Sequence, residues 1–238
     1  MKRSQINVLI RDAIAFFEEH QFWLPPFAFW TPEDWATRGH EAGEIIDRKL
    51  GWDVTDYGQG RFEEVGLLLF TLRNGSAADL KLRKGKLYAE KVMIVRPDQV
   101  SPMHFHWAKT EDIINRGGSR LALELYEADE QGNLSKEDVF FSTDGVSRRA
   151  PAGHIVSLTP GESITLTPGL YHAFWSEGGA ALVGEVSTVN DDERDNRFHD
   201  PLGRFPAIEE DEPPLHFLVS DYPSLAHPRS KTPALGGT

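Results

Sequence analysis

Two histidines one residue apart, His104-Phe105-His106, share a face only if the backbone carrying them is extended. In a strand, His104 and His106 project side by side and Phe105 points the other way, so the pair asks for a β-fold around it. Glu111 follows five positions after His106, far enough for the chain to turn over and return its carboxylate to the same point. A further imidazole, His172, stands in Thr167-Pro168-Gly169-Leu170-Tyr171-His172-Ala173-Phe174. His104, His106, Glu111 and His172 together suit one borderline divalent ion per subunit, such as manganese, iron, cobalt, nickel or zinc, with positions left open for a substrate.

The rest of the chain supplies the strands such a site needs. Ser4 is placed to cap a helix in which Ile6, Leu9, Ile10, Ala13, Ile14 and Phe17 recur at spacings of three and four, ending before Pro25-Pro26 and laying one face on a barrel. The aromatic stretch 22–30 is kept irregular by its prolines. Core packing under a loop is its ordinary reading; the sharper one makes Trp23 and Phe29 a wall of the ligand pocket, since aromatic faces suit the C–H faces of a ring or chain. Thr31-Pro32-Glu33-Asp34 starts a second helix, and 41–50 is a third, stopped by Gly51. Strand patterns then occupy 64–73, closed by Asn74-Gly75, and 87–96, followed by the histidine stretch. Further strands are predicted at 120–128, 139–143, 154–158, 163–167, 171–176 and 181–189, separated by Gly, Pro and Asn turns. This predicts a mainly β fold, an antiparallel double-sheet jelly-roll barrel with N-terminal helices. Residues 1–226 are read as one domain, with a helical segment at 1–51, the barrel at 52–189 and an extension at 190–226; a flexible tail is expected at 227–238. Glu185 on the last strand points inward in this reading, so Asp191, Asp195 and Arg197 edge the pocket mouth. The acidic tract 209–212 reads as solvated surface.

Charge narrows the partners. With 37 acidic and 25 basic residues the net charge is −12, which argues against a nucleic-acid backbone or an anionic membrane surface and favours a small neutral molecule. There is no cysteine, so disulfide and thiolate chemistry are excluded. No apolar run approaches a membrane span and the start is amphipathic rather than signal-like, so a cytoplasmic location is expected.

His-x-His, four residues, Glu111, six residues and Gly118 resemble the first motif of the cupin family, and Gly161, Gly169 and His172 resemble its second. Asp98 stands where that family usually has glycine, its proline is displaced by one to Pro168, and Ser176 replaces an asparagine; these differences concern loop shape. His104-Phe105-His106, Lys109-Thr110-Glu111 and Glu185-Val186-Ser187-Thr188 further resemble the metal-dependent pentose isomerases of the cupin superfamily, D-lyxose isomerase in particular, from the N-terminal helix to 195–198. L-ribose isomerase shares these elements. The resemblance implies reversible conversion of D-lyxose to D-xylulose and of D-mannose to D-fructose, manganese or a similar ion, a homodimer, and Glu111 and Glu185 as acid and base.

Aldose–ketose isomerisation moves a hydrogen between C1 and C2 and protons between O1 and O2, which asks for a Lewis acid and a carboxylate. A carboxylate on the metal is the weaker base, so Glu185 suits the C–H proton and Glu111 the shuttle between oxygens. Lys109 is placed to donate to a substrate hydroxyl or the enediolate. Two other classes stay open, an iron-dependent dioxygenase and a non-catalytic sugar-binding protein. Neither needs a second interior carboxylate with a lysine beside it.

Overall fold

The computed structural model describes residues 1–225, so the tail expected at 227–238 lies outside the described residues. Helix α1 (Arg3–Glu19) is followed by a 3-10 turn at Pro26–Phe29, then α2 (Pro32–Arg38) and α3 (Gly43–Asp47). Next come β1 (Gly51–Thr55), β2 (Leu67–Arg73), α4 (Ala77–Leu82), β3 (Tyr88–Val95), β4 (Val100–His106) and β5 (Glu111–Glu127). The chain continues through β6 (Val139–Thr143), β7 (Val146–Ala150), β8 (His154–Leu158), β9 (Ser163–Leu166), β10 (Leu170–Thr188) and β11 (Asn196–Phe198). No helix among the described residues is long and apolar enough to cross a membrane.

Two long strands join the layers of this jelly roll. Residues 111–118 of β5 pair with 181–187 of β10, and 120–127 pair with 170–177. The second half of β10 continues into β3 and its first half into β4, while β5 takes β9 on its first half and β8 on its second. One layer therefore runs β1-β2-β3-β10-β5-β9-β6-β7 and the other β11-β4-β10-β5-β8. The hydrogen-bonded path ends at β1 and β7, so the expected barrel is not a closed ring of strands. The break read between the strands 171–176 and 181–189 is a corner rather than a strand end, and its counterpart on β5 lies at 117–118. Gly118 has φ +78° and Gly178 φ +87°, and the register shifts between Glu177 and Ala181 as the pair bends from one layer to the other.

Strand parity divides the core. Leu69, Met93, Ile113, Phe174 and Val183 face the space between the layers. Their neighbours Leu68, Phe70, Val92, Ile94 and Leu182 face outward and are covered by Ile6, Ile10, Ala13 and Phe17 of α1. Burying each of the large side chains stabilises the fold by about 1.5–3 kcal/mol, so the helical stripe and the outer sheet face specify one another. Phe22, Leu24 and Phe27 pack on this same outer cluster, and the Trp52 indole donates to Ala28 O at 2.8 Å.

Local details differ from the sequence reading. Ser4 is not the helix cap: α1 begins at Arg3, and the Ser4 amide and hydroxyl donate to Asp211 at 2.9 and 2.7 Å. The acidic tract is exposed but engaged, with Glu210 bonded to buried Arg3 and Glu212 accepting from Asn7. Of the tract, Asp211 takes up a backbone N–H that the first turn of the helix leaves unpaired, while Glu210 and Glu212 bind side chains of the same helix. Asn74 does not close a hairpin. Its side chain accepts from Asn190 N and donates to Asn190 O, both at 3.0 Å, tying the end of β2 to the loop after β10.

The corner makes a stability prediction. A Cβ on Gly118 would lie 2.4 Å from Ala180 O, whereas one on Gly161 (φ +100°) meets nothing within 4 Å. Gly118→Ala combines a clash with left-handed strain and should cost about 3 kcal/mol or more, Gly161→Ala about 1–2 kcal/mol from strain alone. Thermal unfolding should place Gly118→Ala roughly 6–12 °C below wild type. Equal midpoints for the two variants would show that the corner is not fixed by this contact.

Candidate metal centre and active site

His104 and His172 sit opposite one another on β4 and β10, a cross-strand pair on the inner face whose ring centroids are 4.2 Å apart. His106 is two residues along β4, its ring 5.2 Å from His104 and 5.7 Å from His172. Phe105, on the other face, is buried against Tyr171 and Trp107, which fixes the strand's rotation. The nearest nitrogens of the three imidazoles all lie within 4.8 Å of one another.

The tautomers follow from the backbone. His104 Nδ1 is 2.7 Å from Pro102 O and His172 Nδ1 is 3.0 Å from Leu170 O, so both Nδ1 atoms carry the proton and both Nε2 atoms keep a lone pair. Burial, then the neighbouring His172 and His106, holds His104 well below the usual imidazole pKa; burial, then Lys109, lowers His106. Neither ring nitrogen of His106 nor Nε2 of His172 has a hydrogen-bond partner, although Glu111 Oε1 lies 3.2 Å from both Nε2 atoms. Buried acceptors facing a carboxylate at this distance are what a cation resolves. The three histidines are thus placed to bind a metal ion, and the donor set fits a borderline divalent one.

Beside them runs a buried chain of alternating charge. Lys109 Nζ stands 2.5 Å from Glu111 Oε2 and 2.9 Å from Glu185 Oε1. Lys91 Nζ lies 3.3 Å from the same Glu185 oxygen, 2.8 Å from Asn190 Oδ1 and 3.7 Å from Asp192 Oδ1. Asp192 Oδ2 is 3.4 Å from Arg204 Nη2, which donates to Asp53 Oδ2 at 2.6 Å. Burial alone would raise the Glu111 carboxyl, but Lys109 and then His106 hold it well below the usual carboxylate range. Burial would likewise lower Lys109, and Glu111 with Glu185 outweighs it, raising the ammonium pKa. Asp192 is held far down against burial by Lys91 and Arg204.

Each position has a local cause. Glu185 pairs in register with Lys91 on β3 and Ile113 on β5, so the three share the inner face. Lys109 stands in the loop from β4 to β5, which Asp195 cups: its carboxylate accepts from Ala108 N and Lys109 N at 2.8 and 3.0 Å. Asp195 therefore shapes the loop and does not line the cavity. Arg197 is exposed on the outer face of β11, while its neighbours Asn196 and Phe198 point in. Asp191 turns away into a groove on the other side of its loop. Trp23 and Phe29, 72% and 42% exposed, are not brought to the cavity, because their segment covers the outer sheet face. Missing from the sequence reading were Lys91, Asp192, Arg204, Tyr57, Asn196 and Phe198. Lys91 alone left a signal, a charge inside the apolar run 88–95.

A family model described as D-lyxose isomerase matches residues 1–222. The D-lyxose/D-mannose isomerases of Escherichia coli O157:H7 and Serratia proteamaculans are each 50% identical over 225 residues, covering 93% of this chain and 98% of theirs. Among solved structures, L-ribose isomerase of Cellulomonas parahominis without ligand aligns with TM-score 0.58 and 19% identity, over 88% of this chain and 98% of that one. Acinetobacter sp. DL28 L-ribose isomerase in complex with L-ribose aligns with TM-score 0.56 and 15% identity, over 87% and 98%. These structural likenesses are of fold; the relatives at 50% identity and the family match carry the assignment. The chain belongs to the D-lyxose isomerase family, a family of sugar aldose–ketose isomerases.

Proposed function

We propose that this protein interconverts D-lyxose and D-xylulose, and D-mannose and D-fructose, using one divalent ion, manganese by preference, held by His104, His106, His172 and Glu111. The observation that carries this reading is the Lys109 ammonium bridging Glu111 and Glu185 beside three bare imidazoles. The choice of sugars is supported by the names of the two relatives at 50% identity.

Bound at these residues, a divalent ion would supply Lewis acidity to the sugar's carbonyl and so acidify the adjacent C–H. Glu185 takes the C2 proton and returns it to C1 through a cis-enediol. Its hydrogen bonds from Lys109 and Ser187 both go to Oε1, which leaves Oε2 as the oxygen to receive the proton. Glu111 moves the proton between O1 and O2. Lys109, anchored to both carboxylates, fixes their separation and offers an N–H to the negative charge that develops on the sugar oxygens. An oxygen-activating or purely binding site gives such a shared lysine no task.

Three outcomes are expected. Manganese-loaded protein incubated without oxygen should form D-xylulose from D-lyxose; conversion of L-ribose but not D-lyxose would move the assignment to the other sugar. His172→Ala should drop the metal retained after removal of loose ions from about one per chain to near zero, and an unchanged metal content would remove His172 from the ligand set. Glu185→Gln should keep fold and metal while kcat falls by about a hundred- to ten-thousand-fold. Turnover near wild type would return Glu185 to a polar residue satisfied inside the fold.

A further inference from the structure

We infer that Arg204, in the segment after β11, holds the hydroxyls at the end of the sugar remote from C1 and C2, and so sets which aldoses the site accepts. The inference rests on the isomerase reading above and names the residue that grips the substrate's far end.

Arg204 lines the same cavity as the histidines but lies at the opposite end of the charge chain, separated from Glu111 by Lys109, Glu185, Lys91 and Asp192. The two ends are joined along one wall by aromatic rings. Phe198 is 5.6 Å from the His104 ring and 5.5 Å from the Tyr57 ring. The guanidinium is held in place on several sides. Nη2 donates to Asp53, Asp192 approaches from the loop after β10, the Phe205 ring lies 5.0 Å from Cζ, and the Arg204 carbonyl accepts from Thr55 Oγ1 at 2.8 Å. Yet Nη1 is buried with no hydrogen-bond partner. A buried, rigid donor with an unused N–H is rare in a folded protein and is a ready contact for an acceptor.

Charge says which acceptor fits. At its Arg204 end the chain sets two carboxylates, Asp53 and Asp192, against the one guanidinium, so this end of the cavity is not positive even with a divalent ion at the histidines. A phosphorylated or acidic sugar gains nothing from it. A neutral hydroxyl can accept from Nη1 without disturbing the pairs.

The test compares manganese-loaded wild type and Arg204→Lys on D-lyxose, 4-deoxy-D-lyxose and 5-deoxy-D-lyxose. Lysine keeps a cation between Asp53 and Asp192 but loses the second N–H branch. Wild type should lose about ten- to a hundredfold in kcat/KM when the contacted hydroxyl is removed. Arg204→Lys should fall by a similar factor on D-lyxose and treat that deoxy sugar within about threefold of the parent, the coupling expected of a direct contact. Metal content and unfolding temperature establish that the variant is intact. Calorimetric binding of D-arabitol, the unreactive alditol, and of its deoxy counterparts repeats the comparison without turnover, so a protein that isomerises no sugar still reports on the contact. Equal handling of all three sugars by wild type overturns the inference, as does full discrimination retained by Arg204→Lys; should that variant not fold, the wild-type comparison decides alone.

Discussion

A single ammonium, that of Lys109, holds two buried carboxylates at hydrogen-bond distance on either side, and the rest of the site is arranged around that constraint. Two glutamates this close in a low-dielectric interior would repel and take up protons; the cation between them keeps Glu111 ionised. Lys109 in turn depends on its loop. Asp195 fixes two loop amides, and β11 pairs with β4 behind it, so residues long after the barrel strands determine where the lysine stands. Charge alternation then continues outward through Lys91, Asp192 and Arg204, each ion neutralising the next.

The fold supplies the inner surface on which this can be built. Because β5 and β10 run through both layers, Glu111 and Glu185 come from the half of the pair beside β3 and β9, and His172 from the half beside β4. The glycine corners bring these halves together over one cavity. α1 covers the opposite face of the same strands, so its anchorage by Glu210 and Asp211 protects the sheet whose inner side carries Lys91 and Glu185.

What could be read from the sequence was whatever obeyed a period. His104, His106 and Glu185 lie on strands with alternating faces, and their inward projection follows from spacing alone. Lys109 and Glu111 were legible as a motif. Asp192, Asn196 and Arg204 lie on or next to irregular chain, where no period tells an inward side chain from an outward one; Asp191, next to Asp192, and Arg197, next to Asn196, face elsewhere. The glycine pair at 178–179 has the composition of a turn between two strands, while here it and the pair at 117–118 bend continuous strands. The acidic tract was unreadable for a different reason. Its partners, Arg3, Ser4 and Asn7, lie some two hundred residues away in the chain.

In the proposed reaction a carboxylate, that of Glu185, carries the hydrogen between carbons. Isomerising D-lyxose in deuterium oxide reads this out, because a proton taken on Glu185 Oε2 sits on a carboxyl whose other oxygen, Oε1, is 2.9 Å from the exchangeable Lys109 ammonium. The account predicts D-xylulose with solvent deuterium bound to C1. A product with no deuterium at C1, its second hydrogen being the one that left C2, would contradict it and indicate direct hydride transfer.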